Sequence, residues 1–157
     1  MPNKKKQILK GLYKNYIKGT KEKAPVISKT VFFCYLTRAV TEVLQEQKPD
    51  LQESKVYINT KALKHCYDRK PAEEFDFLID NLNQIITYPD KIYKNRNPKR
   101  GDFCFVKNLK GDKYFCSLEF VSEQKKMLFV TSFRLRKESY LKNYKLLWSW
   151  KDGAPSS

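Results

Sequence analysis

His65 is the only histidine in the chain, and it stands in Lys64-His65-Cys66-Tyr67-Asp68-Arg69 with cations on both sides. Imidazole titrates near ~6.5 when unperturbed, so it serves as either a base or an acid at neutral pH. The chemistry that suits it here needs no metal. RNA carries its own nucleophile, the 2′-hydroxyl. A base takes that proton, cations stabilise the pentacoordinate phosphate, and an acid protonates the leaving 5′ oxygen. Lys107 and Arg134 supply candidate cations, arginine by a two-pronged hydrogen bond. Thr131 or Ser132 supplies a hydroxyl for a non-bridging oxygen. Lys64, Arg69 and Lys113 are candidate backbone contacts. Tyr140 is a candidate stacking platform for an unpaired base, as are Tyr114 and Tyr144. Each has a plainer explanation: a lone histidine is more often structural, and strand-end cations are more often merely solvated.

The elements around these residues read as α+β, a helical N-terminal half packed on an antiparallel meander. Ile8, Leu9, Leu12, Tyr13, Tyr16 and Ile17 recur at helical spacing within a lysine-rich arm over 1–25. A second helix is expected over 29–47, with Ser28 as its cap and Phe32, Leu36, Val40, Val43 and Leu44 as its stripe. The rival reading makes Val31–Leu36 a strand, because the run is β-branched and aromatic. Val56-Tyr-Ile58 is a short extended piece. Asn59 or Thr60 caps a helix over 60–68 that carries His65. Pro71 opens a helix over 72–87 with Phe75, Leu78, Ile79, Leu82, Ile85 and Ile86 on its buried side. Glu73, Glu74 and Asp76 complement the dipole at its start and are read as structural.

Tyr88-Pro89-Asp90 ends that helix, and residues 91–93 begin an extended stretch. Residues 95–101 form a basic turn region with Pro98 and Gly101. Three strands follow over 102–108, 113–121 and 126–134, the first two joined by a turn at Gly111. The continuous run Leu128-Phe-Val130 marks a central strand. Strand alternation puts Thr131 and Ser132 on opposite faces, so parity pairs Ser132 with Arg134 unless a bulge intervenes. Residues 137–147 are a closing helix, or a strand followed by a helix, and 151–157 a tail. The divisions expected are an arm over 1–25, a helical extension over 26–54, an α+β domain over 55–150, and the tail.

The totals fit a polyanion as partner. Among 157 residues, 32 Lys and Arg face 17 Asp and Glu, a formal charge of +15, while 41% hydrophobic and 14% aromatic content provide for a core. A lysine-rich composition with solvated surfaces is the alternative source of that charge. The four cysteines form no CxxC pair, so no metal site is expected and core thiols are favoured. A disulfide between Cys104 and Cys116, across a hairpin, stays open. No cofactor is implied. No apolar run approaches a membrane span and no secretory leader is visible, so no membrane is expected and a cytoplasmic location is. P-loop, GxGxxG, HExxH and GxSxG motifs are missing.

Val56-Tyr-Ile58, Lys64-His65, the long helix, Tyr88-Pro89-Asp90-Lys-Ile92, Phe103-Cys-Phe-Val-Lys107 and Leu128-Phe-Val-Thr131-Ser-Phe133 together resemble the phage-associated nuclease domains of the Barnase–EndoU–Colicin–RelE superclass. The resemblance covers roughly 55–145. It implies a helical layer before a four-stranded antiparallel sheet, and metal-independent cleavage of RNA to a 2′,3′-cyclic phosphate, with tRNA one candidate RNA partner. It implies a toxin-like or phage-derived protein, for which a cognate inhibitor is a candidate partner. It places the Lys-His motif on Lys64 and His65, the helix-ending Pro-Asp on Pro89 and Asp90, and the strand hydroxyl on Thr131. Cation positions vary within the family, so Lys107 and Arg134 fit less closely. The expected catalytic set is therefore His65, Lys107, Thr131 and Arg134, with Lys64, Arg69, Lys113, Ser132 and Tyr140 binding RNA. The arm and the 94–100 region hold the backbone. The rival classes are a nucleic-acid-binding module without catalysis, and an inhibitor or adaptor.

Overall fold

The computed structural model describes residues 4–51, 54–69 and 71–150. The tail expected over 151–157 lies outside the described residues. The fold is α+β. Helix α1 (Lys4–Leu12) continues as a π-helical turn (Tyr13–Ile17), and β1 (Thr30–Tyr35), α2 (Arg38–Gln47), β2 (Lys55–Asn59), α3 (Thr60–Arg69) and α4 (Ala72–Thr87) complete the N-terminal half. The remainder is β3 (Lys91–Lys94), β4 (Phe103–Leu109), β5 (Asp112–Val121), β6 (Lys126–Leu135) and β7 (Lys145–Ser149), with short 3-10 turns at Pro98–Arg100 and Glu138–Leu141.

All seven strands form one sheet in the order β1-β2-β6-β5-β4-β3-β7. It is antiparallel except where β2 meets β6 in parallel. The four strands implied by resemblance are thus extended at both edges. The β4–β5–β6 meander lies inside it. Lys110 and Gly111 both take positive φ in the first turn, the conformation that suits a two-residue hairpin loop.

The helix expected over 29–47 is instead a strand and a shorter helix. Thr30-Val-Phe-Phe-Cys-Tyr35 is β-branched and aromatic and pairs with β2. Thr37, not Ser28, caps α2, its hydroxyl accepting from the Val40 N–H at 3.2 Å. Ser28 instead accepts from the Asn59 amide. Residues 137–147 correct in the same way: a 3-10 turn precedes strand β7, which adds to β3. In the lysine-rich arm, Leu9, Leu12 and Ile17 are buried, and Lys6 meets Asp80 of α4 at 3.0 Å.

The main core lies between the helices and one sheet face. Phe75, Leu78, Ile79, Leu82, Ile85 and Ile86 of α4 are all buried, against Phe103, Phe105, Cys116, Leu118 and Phe129. A large apolar side chain fully buried contributes about 1.5–3 kcal/mol, so this helix is a main anchor of the sheet. The opposite face carries a smaller cluster of Cys104, Val106 and Phe115 with Phe133 and Tyr144. Cys104 and Cys116 therefore sit on opposite faces, and all four cysteines are free and buried. No helix among the described residues is long and apolar enough to cross a membrane.

Burial pushes the Cys34 thiol up to about 11 and the Cys104 thiol up to about 12. The fold thus favours the neutral thiols. Their contribution is full below the ordinary thiol range and is lost as pH rises through these raised values. Thermal unfolding midpoints are expected to hold between pH 7 and 8.5 and fall steeply towards pH 11–12. A flat profile to pH 12 would contradict it.

Candidate active site

Strand β2 pairs with β6 at only two rungs, Val56 with Met127 and Tyr57 with Leu128. Past them α3 runs beside β6. The Cys66 thiol on α3 lies 3.8 Å from both the Thr131 hydroxyl and the Ser132 carbonyl. The chain then turns at Pro71 into α4, whose first turn holds Glu74.

The ladder between β5 and β6 slips at this point. Ser117 pairs with Thr131 and Leu118 with Phe129, which leaves Val130 as an extra residue. A bulge of one residue reverses the facing of everything beyond it. Phe129 points into the helix-covered core. Thr131, two residues on, takes the opposite face with Phe133. Without the bulge Thr131 would point into the core.

A cleft of about 420 Å³ opens where these pieces meet, lined by Arg69, Glu74, Arg100, Thr131, Arg136 and Tyr140 among others. Three guanidinium groups and one carboxylate give it a positive balance. Arg136 bonds one Glu74 carboxylate oxygen. The other, Oε1, is buried with no hydrogen-bond partner among the described residues. A buried carboxylate oxygen left so costs free energy, and such a group calls for a reason. The backbone of Arg100 is fixed by its neighbours: its N–H donates to Asn97, and its carbonyl accepts from the Asn95 amide and the Ser117 hydroxyl. Tyr140 is 45% exposed and meets Phe115 and Phe133 edge-on, ring centroids 5.7 Å from each.

Arg69, Thr131 and Tyr140 thus share one cleft. His65 is exposed one helical turn before Arg69, its Nε2 3.4 Å from Arg69 Nη1. A guanidinium only donates, so in this contact Nε2 carries a lone pair.

Five residues expected at the site lie elsewhere. Lys64 is only 4% exposed, its ammonium engaged by Asp68 and by the Lys21 carbonyl at 2.7 Å. Ser132 is fully buried and donates to the Phe115 carbonyl at 2.6 Å. Lys107 donates to the Tyr88 carbonyl at 2.6 Å, past the far end of α4 from Glu74. At 1.5 Å rise per residue that end is roughly 20 Å away. There Lys107 borders an apolar groove with Trp148 and Trp150. Arg134 pairs with Asp112 at 3.5 Å, on the helix-covered face. Lys113 is exposed on the open face beside Tyr93, away from the cleft lining.

Arg136 and Glu74 are the residues that sequence reasoning missed as site members, while Arg100 was covered only as part of a region expected to hold the backbone. Arg100 lies inside the basic 95–101 turn. Arg136 continues the alternation of β6, two residues past Arg134. Glu74 was hidden by a sound structural reading at a helix start. Among the described residues, no three His, Cys, Asp or Glu side chains group as a metal site.

A family model described as phage-Barnase-EndoU-ColicinE5/D-RelE like nuclease3 matches residues 37–143. That span includes α2, both walls of the cleft, and the loop bearing Arg100. No curated protein and no solved structure matches the chain.

Proposed function

We propose, from the premise that the chain belongs to the phage-Barnase-EndoU-ColicinE5/D-RelE like nucleases, that it is a metal-independent endoribonuclease producing a 2′,3′-cyclic phosphate. The observation that carries this reading is the cleft itself: three arginines, a threonine hydroxyl and a carboxylate with one unpartnered oxygen. Arg69, Arg100 and Arg136 take the phosphate role first expected of Lys107 and Arg134. Guanidinium forks match phosphate oxygens in pairs and neutralise the charge that builds in the transition state. Thr131 donates to a non-bridging oxygen.

The proton steps balance between two groups. Glu74 accepts the 2′-hydroxyl proton as that oxygen attacks phosphorus. Protonated His65 gives its proton to the departing 5′ oxygen. Arg136 is half-exposed, and its move from Glu74 to the phosphate uncovers the carboxylate for this task. Arg69 moves likewise, leaving Nε2 of His65 for its proton. The alkoxide leaves as an alcohol, and water returns the two groups to their starting states.

The test is a labelled RNA in EDTA. Cleavage is expected, with a cyclic phosphate on the upstream fragment, and a substrate with a single 2′-deoxy sugar is expected to resist at that position. Cleavage of DNA, or loss of cleavage in EDTA, would refute the mechanism. Tight binding without any cleavage would favour the rival, a nucleic-acid-binding module. Lys107→Ala is expected to cut RNA at nearly the wild-type rate, whereas Arg69→Ala is not. The opposite ranking would return the phosphate role to the far end of α4.

A further inference from the structure

A second recess, about 170 Å³, opens off the cleft and shares Arg100, Thr131, Phe133 and Tyr140 with it. Its own walls add Asn95, Asn97, Ser117, Phe115 and Tyr144. Aromatic rings and amides differ in kind from the charge of the phosphate cleft. We propose that this recess is a subsite for one unpaired nucleobase next to the scissile phosphate, and that it prefers bases with a carbonyl edge. This rests on the endoribonuclease reading of the adjoining cleft.

The aromatic wall is built before any ligand arrives. Phe115 and Phe133 stack at 4.6 Å, and Tyr140 stands edge-on to both. Tyr144 packs against Tyr140, ring centroids 5.8 Å apart, and burial first, then the neighbouring Tyr140 phenol, pushes the Tyr144 phenol up to about 12. The Tyr140 ring is the exposed one, so it offers the stacking face. Stacking on an aromatic side chain tolerates any base and needs a base freed from a duplex.

The polar wall has a definite sign. Asn95 is committed to the loop: its amide donates to Arg100, and its oxygen accepts from the Asn97 N–H. Asn97 is exposed, and its side-chain oxygen accepts from the Lys99 N–H. That leaves its amide nitrogen as the side-chain atom with hydrogens to donate. Arg100 donates as well. A rim of donors suits guanine and uracil, whose edges carry carbonyl oxygens there, and opposes the amino groups of adenine and cytosine.

The experiment is equilibrium binding of the four nucleoside 3′-monophosphates, with inorganic phosphate as reference, to the full chain in EDTA. Guanosine and uridine nucleotides are expected to bind about tenfold more tightly than the adenosine and cytidine ones. Asn97→Asp keeps the cap to Lys99 but turns the amide donor into an acceptor, and is expected to reverse the preference. Tyr140→Ala is expected to weaken all four alike. Equal binding of the four, affinity no better than that of phosphate, or an unchanged preference in Asn97→Asp would overturn the subsite. These ligands are not cut, so base preference without RNA cleavage refutes only the nuclease reading. Cleavage with no base preference refutes only the subsite.

Discussion

Glu74→Gln is expected to lower RNA cleavage by roughly a hundred- to ten-thousand-fold, the usual worth of a positioned proton acceptor. The substitution keeps the shape of the side chain, and its amide oxygen still accepts from Arg136. The stability cost is therefore about 1 kcal/mol, the difference between a charge-assisted and a neutral hydrogen bond. What disappears is the ability to hold a proton. The loss should fall on kcat, because Arg69, Arg100 and Thr131 still bind the phosphate, while KM stays close to the wild-type value. A variant that cuts at the wild-type rate in EDTA would remove Glu74 from the chemistry and leave its unpartnered oxygen without a catalytic explanation. His65→Ala provides the counterpart, removing the proton donor to the leaving oxygen instead of the acceptor.

That Glu74 needed coordinates to be found says where sequence reasoning stops. Helix α4 was legible almost residue by residue, because six apolar side chains at helical spacing leave no other way to bury them. The meander was legible through its turn residues. Strand β1 was not, since Phe32 and Leu36 fit a helical stripe as well as they fit a strand, and the pairing with β2 decides between them. Thr131 was named by resemblance while alternation favoured Ser132. Alternation does put Ser132 with Arg134, but that face is the helix-covered one, and the bulge at Val130 turns Thr131 to the cleft. The apolar run Leu128-Phe-Val130 carries no period of its own, so the extra residue leaves no mark in it.

Cations were the least legible. Lys64 and Lys107 look alike in sequence to Arg69 and Arg136. Lys107 caps the carbonyl of Tyr88 just past the last turn of α4, where a helix end attracts positive charge. Lys64 is drawn inside by Asp68, one turn on, and by a carbonyl far away in the chain. Local pattern gives the type of charge, and only long-range packing gives its place.

The loop that carries Arg100 depends on one glycine, and Gly101→Ala is expected to damage fold and cleft together. Gly101 has φ of +108°, where a side chain is strained, at a cost on the order of 1–3 kcal/mol for the backbone alone. A Cβ there would also lie 2.3 Å from the Ser117 hydroxyl and 3.0 Å from the Leu118 carbonyl. Ser117 is the residue that holds the Arg100 carbonyl. The added methyl therefore pushes on the anchor of an arginine that lines both the cleft and its recess. Calorimetry should show a clear fall in Tm, and RNA binding should weaken more than Tm alone explains when both are measured at low temperature. Adding Ser117→Ala removes the overlap with the hydroxyl but neither the close Leu118 carbonyl nor the strained φ, and it does not restore the anchor. The double variant is therefore expected to regain part of the stability and little of the binding. Full recovery of both would mean that contact with Ser117, and not backbone conformation, is what glycine provides at this position.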